Sequence, residues 1–432
     1  MEDEQKRAEK SVSSEPAEQT TCCIVGAGPG GAMLALLLAR QGVDVILLEE
    51  HMDFERDFRG DTLHPAAMEN LREIGLAQRL LQLRHTKVKK VGVQTGSGTL
   101  QIDLSAGFAF WHTKFPFITV IAQSRFLSFI MEEAKRYPNF RLIMGARVDE
   151  LVVEDGKVRG VSYSGRDGRR EIRATLTVGA DGRFSRVRKL VGLEPRKTSP
   201  PIDVLWFHLS RREDDRMESL GARIGNGLFV LFFDRFSYWQ MGVVIPKGGY
   251  QKLRAAGLQP LQEALGKAVP GFANRVSELR EWKQISVLAV ESSRLKRWYR
   301  PGLLLIGDAA HVMSPVGGVG INYAIQDAVV ASNLLGAKLK MGRAIEEHDL
   351  ARVQRLRELP TIVIQTFQSL AQRVVMLRLK SMGASGADDT FTPPAFVRLL
   401  LRIPVVLALP ARLIGFGLWP PHVRTNGAEE TP

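Results

Sequence analysis

The hydrophobic pattern is clearest near the start of the chain, in residues 21–50. This segment has the sequence TCCIVGAGPGGAMLALLLARQGVDVILLEE: an apolar run, a glycine-rich turn, an Ala/Leu-rich stretch that ends at a glycine, and a second apolar run. The apolar runs are typical of strands and the Ala/Leu stretch of a helix. Because residues 45–48 contain no polar position, they fit a parallel strand that is covered on both faces. The pattern predicts a βαβ unit.

A different pattern occupies residues 147–178. Short Val-rich runs are separated there by Asp155-Gly156 and by Asp167-Gly168. Both dipeptides favour the tight turns of hairpins, so we expect a small antiparallel meander.

The second half of the chain predicts two further units. Residues 202–285 are rich in aromatic residues, alternate between apolar and polar positions, and contain a helical stretch at 250–279. This predicts a separate sheet with a helix. After residue 300, PGLLLIGDAA returns to a buried parallel strand, followed by a glycine-rich loop and an amphipathic helix through Leu335. We therefore expect a discontinuous nucleotide-binding fold.

Composition excludes some classes of protein. The chain has 432 residues, of which 24% are charged and 45% hydrophobic, as in globular proteins of enzyme size. The net charge of +13 raises the question of nucleic acid or an anionic membrane, but the basic residues are scattered and we find no nucleic-acid motif. Cys22 and Cys23 are adjacent on a predicted strand, where they point to opposite faces, so we expect reduced core residues. We find no export signal near the start, and we expect a cytoplasmic protein.

The turn of the βαβ unit carries the first candidate chemistry. Gly26, Gly28 and Gly31 form a GxGxxG motif with Pro29 and Gly30 inside it. The first glycine permits the tight turn, the second lets a pyrophosphate approach the backbone, and the third allows close helix packing. The helix N-terminus offers free N–H groups to the phosphates. Glu49, at the end of the second strand, is placed to accept hydrogen bonds from a ribose, so the unit predicts dinucleotide binding.

Two further segments resemble one enzyme family. Residues 178–188, VGADGRFSRVR, resemble the "DG" motif of the class A flavoprotein monooxygenases, the family typified by p-hydroxybenzoate hydroxylase. Residues 305–311, LIGDAAH, resemble the "GD" motif of the same family. They are followed by residues that match its flavin loop: Pro315, Gly317, Gly318, Gly320 and Asn322. The three regions occur in the family's order and span most of the chain.

The resemblance implies roles around FAD for residues of the GD segment. Asp308, after Gly307, would hydrogen-bond a ribityl hydroxyl, and the backbone at Ile321 and Asn322 would contact the pyrimidine edge of the flavin. The helix that begins near Ile321 would then direct its N–H groups at the edge where negative charge accumulates on reduction.

The resemblance also implies cofactor contacts elsewhere. Asp181 and Gly182 would lie near the pyrophosphate, Arg59 near the FAD phosphates, and Gln123 against the flavin. The basic residues of the DG segment would either attract the nicotinamide phosphates or form an exposed helix face, and the sequence leaves both open. These residues are Arg183, Arg186, Arg188 and Lys189.

The histidines and strand aromatics are weaker candidates. We favour His64 and His311 as packing residues, and His208 as the better candidate to face the substrate. Some aromatic residues of the second sheet would line a substrate cavity or belong to the ordinary core. They are Trp206, Phe232, Tyr238 and Trp239.

The fold class that follows is α/β: a Rossmann-type FAD-binding fold with a parallel sheet and an antiparallel meander, an inserted α+β substrate domain, and a C-terminal helical segment. The predicted division is a disordered tail at 1–20; a discontinuous FAD-binding domain at 21–84, 117–198 and 290–340; a substrate domain at 85–116 and 199–289; and a C-terminal helical region at 341–432.

The resemblance implies a monooxygenase that takes electrons from NADPH or NADH, forms a C4a-hydroperoxyflavin with O2, and hydroxylates a small aromatic, apolar or polycyclic substrate without a metal. The residues leave three alternatives. An FAD-dependent reductase would act on a prenyl or quinone-like substrate by hydride transfer. A flavin halogenase would carry WxWxIP, of which Tyr238-Trp239 and Ile245-Pro246 give only part. A flavin-bound interaction protein would have no activity.

The apolar C-terminal segment leaves a choice between two interpretations. Arg402, Pro404, Pro410 and Arg412 interrupt it, so it contains no apolar run long enough to span a bilayer. We favour a terminal helix that closes over the substrate domain. The alternative is peripheral contact with a membrane surface, which would make the protein membrane-associated.

Overall fold

The computed structural model describes residues 17–55, 61–95, 98–198, 200–215, 220–225, 227–235, 237–385 and 404–424. The strands are, in chain order, β1 (Glu18–Val25), β2 (Val45–Glu49), β3 (Thr62–Leu63), β4 (Thr86–Val88), β5 (Lys90–Thr95), β6 (Gly98–Asp103), β7 (Ile118–Val120), β8 (Phe140–Met144), β9 (Arg147–Glu154), β10 (Lys157–Gly165), β11 (Gly168–Gly179), β12 (Pro195–Thr198), β13 (Ile202–Ser210), β14 (Leu220–Gly225), β15 (Leu228–Asp234), β16 (Tyr238–Pro246), β17 (Ser286–Leu288), β18 (Ser292–Leu295), β19 (Tyr299–Arg300), β20 (Leu303–Leu305) and β21 (His311–Val312).

The helices are α1 (Pro29–Arg40), α2 (Pro65–Glu73), α3 (Ala77–Leu80), α4 (Leu104–Ala109), α5 (Gln123–Ala134), α6 (Arg186–Leu190), α7 (Tyr250–Ala256), α8 (Leu258–Ala268), α9 (Gly320–Lys340), α10 (Glu347–Ser385) and α11 (Pro404–Gly415). β1 begins at Glu18, so residues 18–20 belong to a strand and not to the expected tail. α9 continues to Lys340, beyond the expected end at Leu335, because its apolar face continues along the core.

The first large sheet contains the βαβ unit. Its order is β19-β20-β11-β1-β2-β8, in which the five strands from β20 to β8 are parallel. Cys22 packs in the core on one face of β1 and Cys23 in the core on the other, both as free thiols. Burial raises the pKa of both thiols far above its ordinary value. These cysteines are inert core residues.

The antiparallel meander is an extension of the same sheet. β9, β10 and β11 pair in antiparallel order and turn at Asp155-Gly156 and Asp167-Gly168. Three of these turn residues have positive φ: Asp155, Gly156 and Gly168. The predicted meander and the predicted Rossmann-type α/β fold are both confirmed.

The second large sheet has the order β17-β13-β16-β15-β14-β5-β6. Its strands come from two separate stretches of the chain. β5 pairs in parallel with β14, and 128 residues lie between the paired Gly92 and Gly221. α8 covers one face of the sheet, where Leu261 and Leu265 pack on strand residues. Two small sheets complete the fold, β12-β18-β21 and β3-β7-β4.

α10 attaches to the body through a row of buried polar side chains. Gln365 Nε2 donates to the carbonyl oxygens of Ser293 and Val312 at 3.0 Å each, and Gln368 donates to two carbonyls of the next segment at 2.8 Å each. The spacing of the row follows the helical repeat. Its members are Gln354, Arg357, Thr361, Gln365, Gln368 and Gln372. We call this set the amide row.

Apolar residues lie on the outer face of the same helix, where Leu370, Val374 and Leu377 are exposed. Among the described residues, no helix is both long enough and apolar enough to cross a membrane.

Candidate functional site

The glycine turn after β1 fits tightly against the end of β11. Gly26 has a φ of +98°, its N–H donates to Leu48 O at 2.7 Å, and a Cβ at this position would lie 2.6 Å from Ala180 O. A Cβ on Gly31 would lie 2.0 Å from the Gly26 carbonyl. Gly28 differs: its φ is −67°, and an added Cβ would have Ala180 O as its nearest neighbour, at 3.9 Å. The fold therefore requires Gly26 and Gly31, whereas Gly28 has open space beside it.

Two helix N-termini lie next to one another at this edge of the sheet. α1 begins at Pro29 and α9 follows Val319, and neither N-cap residue makes a side-chain capping bond. The two helices are in contact close to these ends, since a Cβ on Gly30 would lie 3.2 Å from Ala324 O. A Cβ on Gly320 would have no neighbour within 4 Å. Both helix ends thus present free N–H groups and partial positive charge to the same region.

Glu49 is buried at the end of β2. One carboxylate oxygen accepts the N–H of Ala27 at 2.9 Å, and the other accepts the N–H of His51 at 3.1 Å. The carboxylate is thereby held beside the glycine turn, where the sequence places a ribose contact.

The DG segment brings its backbone to the glycine turn and its acid to a helix. A Cβ on Gly26 would lie 2.7 Å from the Cα of Asp181, and Gly182 has a φ of +78°. The Asp181 carboxylate accepts hydrogen bonds from Ser185 Oγ (2.6 Å) and from the N–H groups of Arg186 (2.6 Å) and Val187 (3.0 Å). Burial raises the pKa of Asp181, although these bonds work to lower it. The carboxylate therefore caps α6.

Arg188 connects the DG and GD segments. It is buried, and its guanidinium donates to Ala309 O at 3.0 Å and to Arg183 O at 2.6 Å. Burial lowers the pKa of Arg188. Of the four basic residues in this segment, Arg186 and Lys189 are exposed and Arg183 is half-buried, so Arg188 alone among them is an internal structural residue.

The GD segment is hydrogen-bonded to a buried charged cluster that the sequence analysis missed. Asp327 of α9 accepts the N–H of Gly307 (3.0 Å), hydrogen-bonds His311 Nε2 (2.6 Å), and accepts Arg357 Nε from α10 (2.7 Å). Burial alone would raise the pKa of Asp327, but His311 and Arg357 lower it. Gly307, with a φ of +58°, is thereby fixed immediately before the half-buried Asp308. The available signal was an acid within the largely apolar helix α9.

The glycine loop, residues 315–320, is fixed by the side chain of Asn322. Asn322 Oδ1 accepts the N–H of His64 at 2.7 Å, and Nδ2 donates to the carbonyls of Thr62 (3.0 Å) and Gly318 (3.2 Å). Gly318 has a φ of +63°. The side chain of Asn322 thus holds the loop, while the start of α9, with Ile321, carries the free N–H groups. Pro315 begins the loop and is exposed.

An ion pair near this point joins the second large sheet to the residue that precedes β3 of a small sheet. Arg235, after β15, lies 2.7 Å from Asp61 and donates its Nε to Gln240 Oε1 at 2.8 Å. Asp61 also accepts the N–H of Gln123 at 3.2 Å. Burial raises the pKa of Asp61, and Arg235 works against that rise. The sequence analysis missed this pair because the two residues lie far apart in the chain. Arg59 lies outside the described residues.

Trp206 and His208 share one face of the second sheet. Trp206 packs over Gly242, where a Cβ would lie 2.7 Å from its ring, and its centroid is 5.8 Å from that of Phe233. His208 is exposed, and the centroid of its ring lies 4.2 Å from that of Tyr238.

Phe232 and Trp239 lie on the opposite face. Their rings pack on Phe272, at centroid distances of 5.8 and 5.4 Å, beneath α8. Because successive strand residues alternate between faces, these two aromatics belong to the core beneath α8. Trp206, on the other face, is buried in a separate cluster that includes Met376 of α10.

The chain is similar to known proteins in both sequence and fold. A family model described as "FAD binding domain" matches residues 19–358. The chain is 32% identical to 6-methylpretetramide 4-monooxygenase of Streptomyces rimosus over 95% of this chain and 96% of that protein. It is 24% identical to para-nitrophenol 4-monooxygenase of a Pseudomonas species, over 77% of this chain and 81% of that one.

Solved structures show the same fold. The p-nitrophenol 4-monooxygenase of Pseudomonas putida superposes with a TM-score of 0.74 at 20% identity, covering 91% of this chain and 97% of that one. The anhydrotetracycline hydroxylase of Streptomyces rimosus gives a TM-score of 0.69 at 23% identity, covering 92% and 76%. The sequence resemblance is therefore confirmed: the chain belongs to the class A FAD-dependent monooxygenases, the family of aromatic-ring hydroxylases that use NAD(P)H and O2.

Proposed function

We propose that this enzyme hydroxylates an aromatic or polycyclic substrate at the junction of its two large sheets. In the reaction one atom of O2 enters the ring, the other leaves as water, and NAD(P)H supplies two electrons. The observation that carries the proposal is the position of the start of α9, which contacts α1 and is bonded through Asn322 to Thr62, next to the Asp61 that pairs with Arg235 of the aromatic sheet. Relatives named as monooxygenases of 6-methylpretetramide and para-nitrophenol support an aromatic substrate.

We further propose which residues hold the FAD. The N-terminus of α1 and the open space beside Gly28 fit a pyrophosphate, because free N–H groups and positive partial charge bind phosphate oxygens. The buried carboxylate of Glu49 suits a ribose, and Asp308 a ribityl hydroxyl. The remaining proposed contacts are Gly26, Pro29, Gly30, Gly31, Arg59, Gln123, Asp181, Gly182, Gly307, Pro315, Gly318, Gly320, Ile321 and Asn322.

The N-terminus of α9 would assist the chemistry electrostatically. FAD, when bound and reduced by NAD(P)H, supplies the oxygen-activating chemistry. The first N–H groups of α9, near Ile321, would face the growing negative charge on the cofactor without needing to reorient. Asn322, through its bonds to the glycine loop, would keep these groups in place.

The substrate would lie against the face of the second sheet that carries Trp206. We propose the domain division expected from the sequence, in which β5 and β6 join β13 to β17 in the substrate domain. The Asp61–Arg235 pair would then mark the boundary between cofactor and substrate. Any peripheral membrane contact would use the exposed Leu409 and Trp419 of the C-terminal segment.

The test combines spectroscopy with labelled oxygen. The purified protein is expected to show a flavin absorption spectrum, to be bleached by NADPH or NADH without oxygen, and, with 18O2 and a panel of phenols, to yield a product that carries one labelled atom. Bleaching without label in any product, and with a reduced acceptor instead, would support the reductase. No nicotinamide oxidation under any condition would refute an enzyme of either kind.

A further inference from the structure

The described C-terminal residues 404–424 lie across the body of the protein; we call them the C-terminal strap. The strap begins with α11 and continues without regular structure to Arg424. Side chains of the body donate hydrogen bonds to its backbone carbonyls along most of its length. The bonds are Trp111 Nε1 to Ala408 O (2.9 Å), His64 Nδ1 to Ile414 O (2.8 Å), Gln326 Nε2 to Phe416 O (3.0 Å), Asn70 Nδ2 to Pro421 O (2.7 Å) and Asn333 Nδ2 to His422 O (2.7 Å).

His64 joins the strap to the glycine loop. Because a carbonyl can only accept, His64 Nδ1 carries the proton in its bond to Ile414 O. The backbone N–H of the same residue donates to Asn322, whose amide holds Gly318. Gln326, one turn after Asn322 on α9, donates to the next part of the strap. One short chain of hydrogen bonds therefore runs from the strap to the loop.

Steric contacts reinforce this connection. A Cβ on Gly317 would lie 3.8 Å from the side chain of Ile414, and a Cβ on Gly415 would lie 2.5 Å from the Phe108 ring. Gly417 has a φ of +80°, and a Cβ there would lie 3.1 Å from Tyr323 Oη. The strap is thus fitted closely to the loop and to the first turns of α9.

We propose that the C-terminal strap is a structural part of the flavin site, and that His64 is the positioning residue that couples docking of the strap to FAD binding. This inference rests on the proposed function, because it assumes that FAD lies against residues 318–322. By thermodynamic reciprocity, bound FAD must favour docking of the strap by the same factor by which the docked strap increases FAD affinity.

The experiment measures both directions of this coupling. FAD affinity is measured by fluorescence titration of the apoprotein, and the mobility of residues 412–418 by hydrogen exchange with and without FAD. The variants are His64→Leu, which removes the donor; His64→Asn, whose amide can replace Nδ1; and Gln326→Leu. The matched control is Asn333→Leu, which removes a hydrogen bond to the strap at a point about 17 Å along α9 from Asn322.

We expect His64→Leu and Gln326→Leu to weaken FAD about tenfold, within the usual range of coupling between sites. His64→Asn and Asn333→Leu should stay close to wild type, and FAD should slow exchange in 412–418. Equal FAD affinity in all variants, or exchange that ignores FAD, would overturn the inference. If His64→Leu unfolds the chain, Gln326→Leu and the exchange data still decide. Failure of the wild type to bind FAD would overturn the proposed function itself.

Discussion

A substitution at Gly28 can distinguish the requirements of the fold from those of cofactor binding. With a φ of −67° and 3.9 Å of space to Ala180 O, this position can accept an alanine without backbone strain. Gly31 cannot, because its Cβ would lie 2.0 Å from the Gly26 carbonyl. The pair Gly28→Ala and Gly31→Ala therefore makes the same chemical change in one glycine motif with opposite expected consequences.

The magnitudes follow from these distances. In Gly28→Ala, the poorer helix N-cap is offset by the smaller entropy of the unfolded chain, so the free energy of unfolding of the apoprotein should change by less than about 1 kcal/mol. The new methyl would stand where the pyrophosphate approaches, and loss of one charge-assisted hydrogen bond costs about 1.5–3 kcal/mol, or about 10- to 150-fold in Kd. Gly31→Ala should destabilise the apoprotein by about 1–3 kcal/mol through overpacking.

Two assays on the same preparations test this reasoning. Thermal unfolding of the apoprotein reports on the fold, and fluorescence titration with FAD reports on the site. Gly28→Ala should melt like the wild type and bind FAD weakly. If it binds FAD within twofold of the wild type, the pyrophosphate does not approach this turn, and the proposed cofactor site is wrong.

Three further outcomes are expected. Asp327→Asn should lower the free energy of unfolding in urea by about 3–5 kcal/mol, because Arg357 is left as an unpaired buried charge; a loss under 1 kcal/mol would contradict this. Burial lowers the pKa of His64 from 6.5 to about 4, so as the pH falls the unfolded chain takes up the proton before the folded one does. Between pH 6.5 and 4, the free energy of unfolding of the wild type should therefore fall by about 3 kcal/mol relative to that of His64→Asn. Parallel pH profiles of the two proteins would refute this. In a double-mutant cycle, Asp61→Asn and Arg235→Met together should cost less than their sum by about 1–3 kcal/mol, and strict additivity would show that the pair is uncoupled.

Local patterns in the sequence predicted the local parts of the fold. The apolar runs around the glycine motif became β1, α1 and β2, and the motif's first and third glycines are enforced by contacts of 2.6 and 2.0 Å. The two turn dipeptides placed the meander correctly because Asp-Gly accepts the positive φ that such turns require. What could not be predicted is that β11, the last strand of the meander, also pairs in parallel order with β1, since register between distant strands has no local signal.

The site divides in the same way. Residues in the glycine motifs could be proposed from the sequence because backbone geometry restricts residue type there, whereas Asp327 with Arg357, and Asp61 with Arg235, are joined only by tertiary packing. Hydrophobic periodicity is also a weak guide at α10, because its buried face mixes polar side chains with Leu350, Val353 and Ile364, and its exposed face carries further leucines. Rules that place only apolar residues inside would miss the buried glutamines of this helix.

The amide row of α10 also limits how this molecule can deform. Apolar interfaces permit neighbouring elements to slide, because dispersion contacts are nondirectional and easily exchanged. Gln365 and Gln368 are each matched to two particular carbonyls, and a shift of one turn, about 5.4 Å, would break all four of these bonds at once. Shear between α10 and residues 312–316, which follow the GD segment, is therefore opposed, and the two are expected to move together.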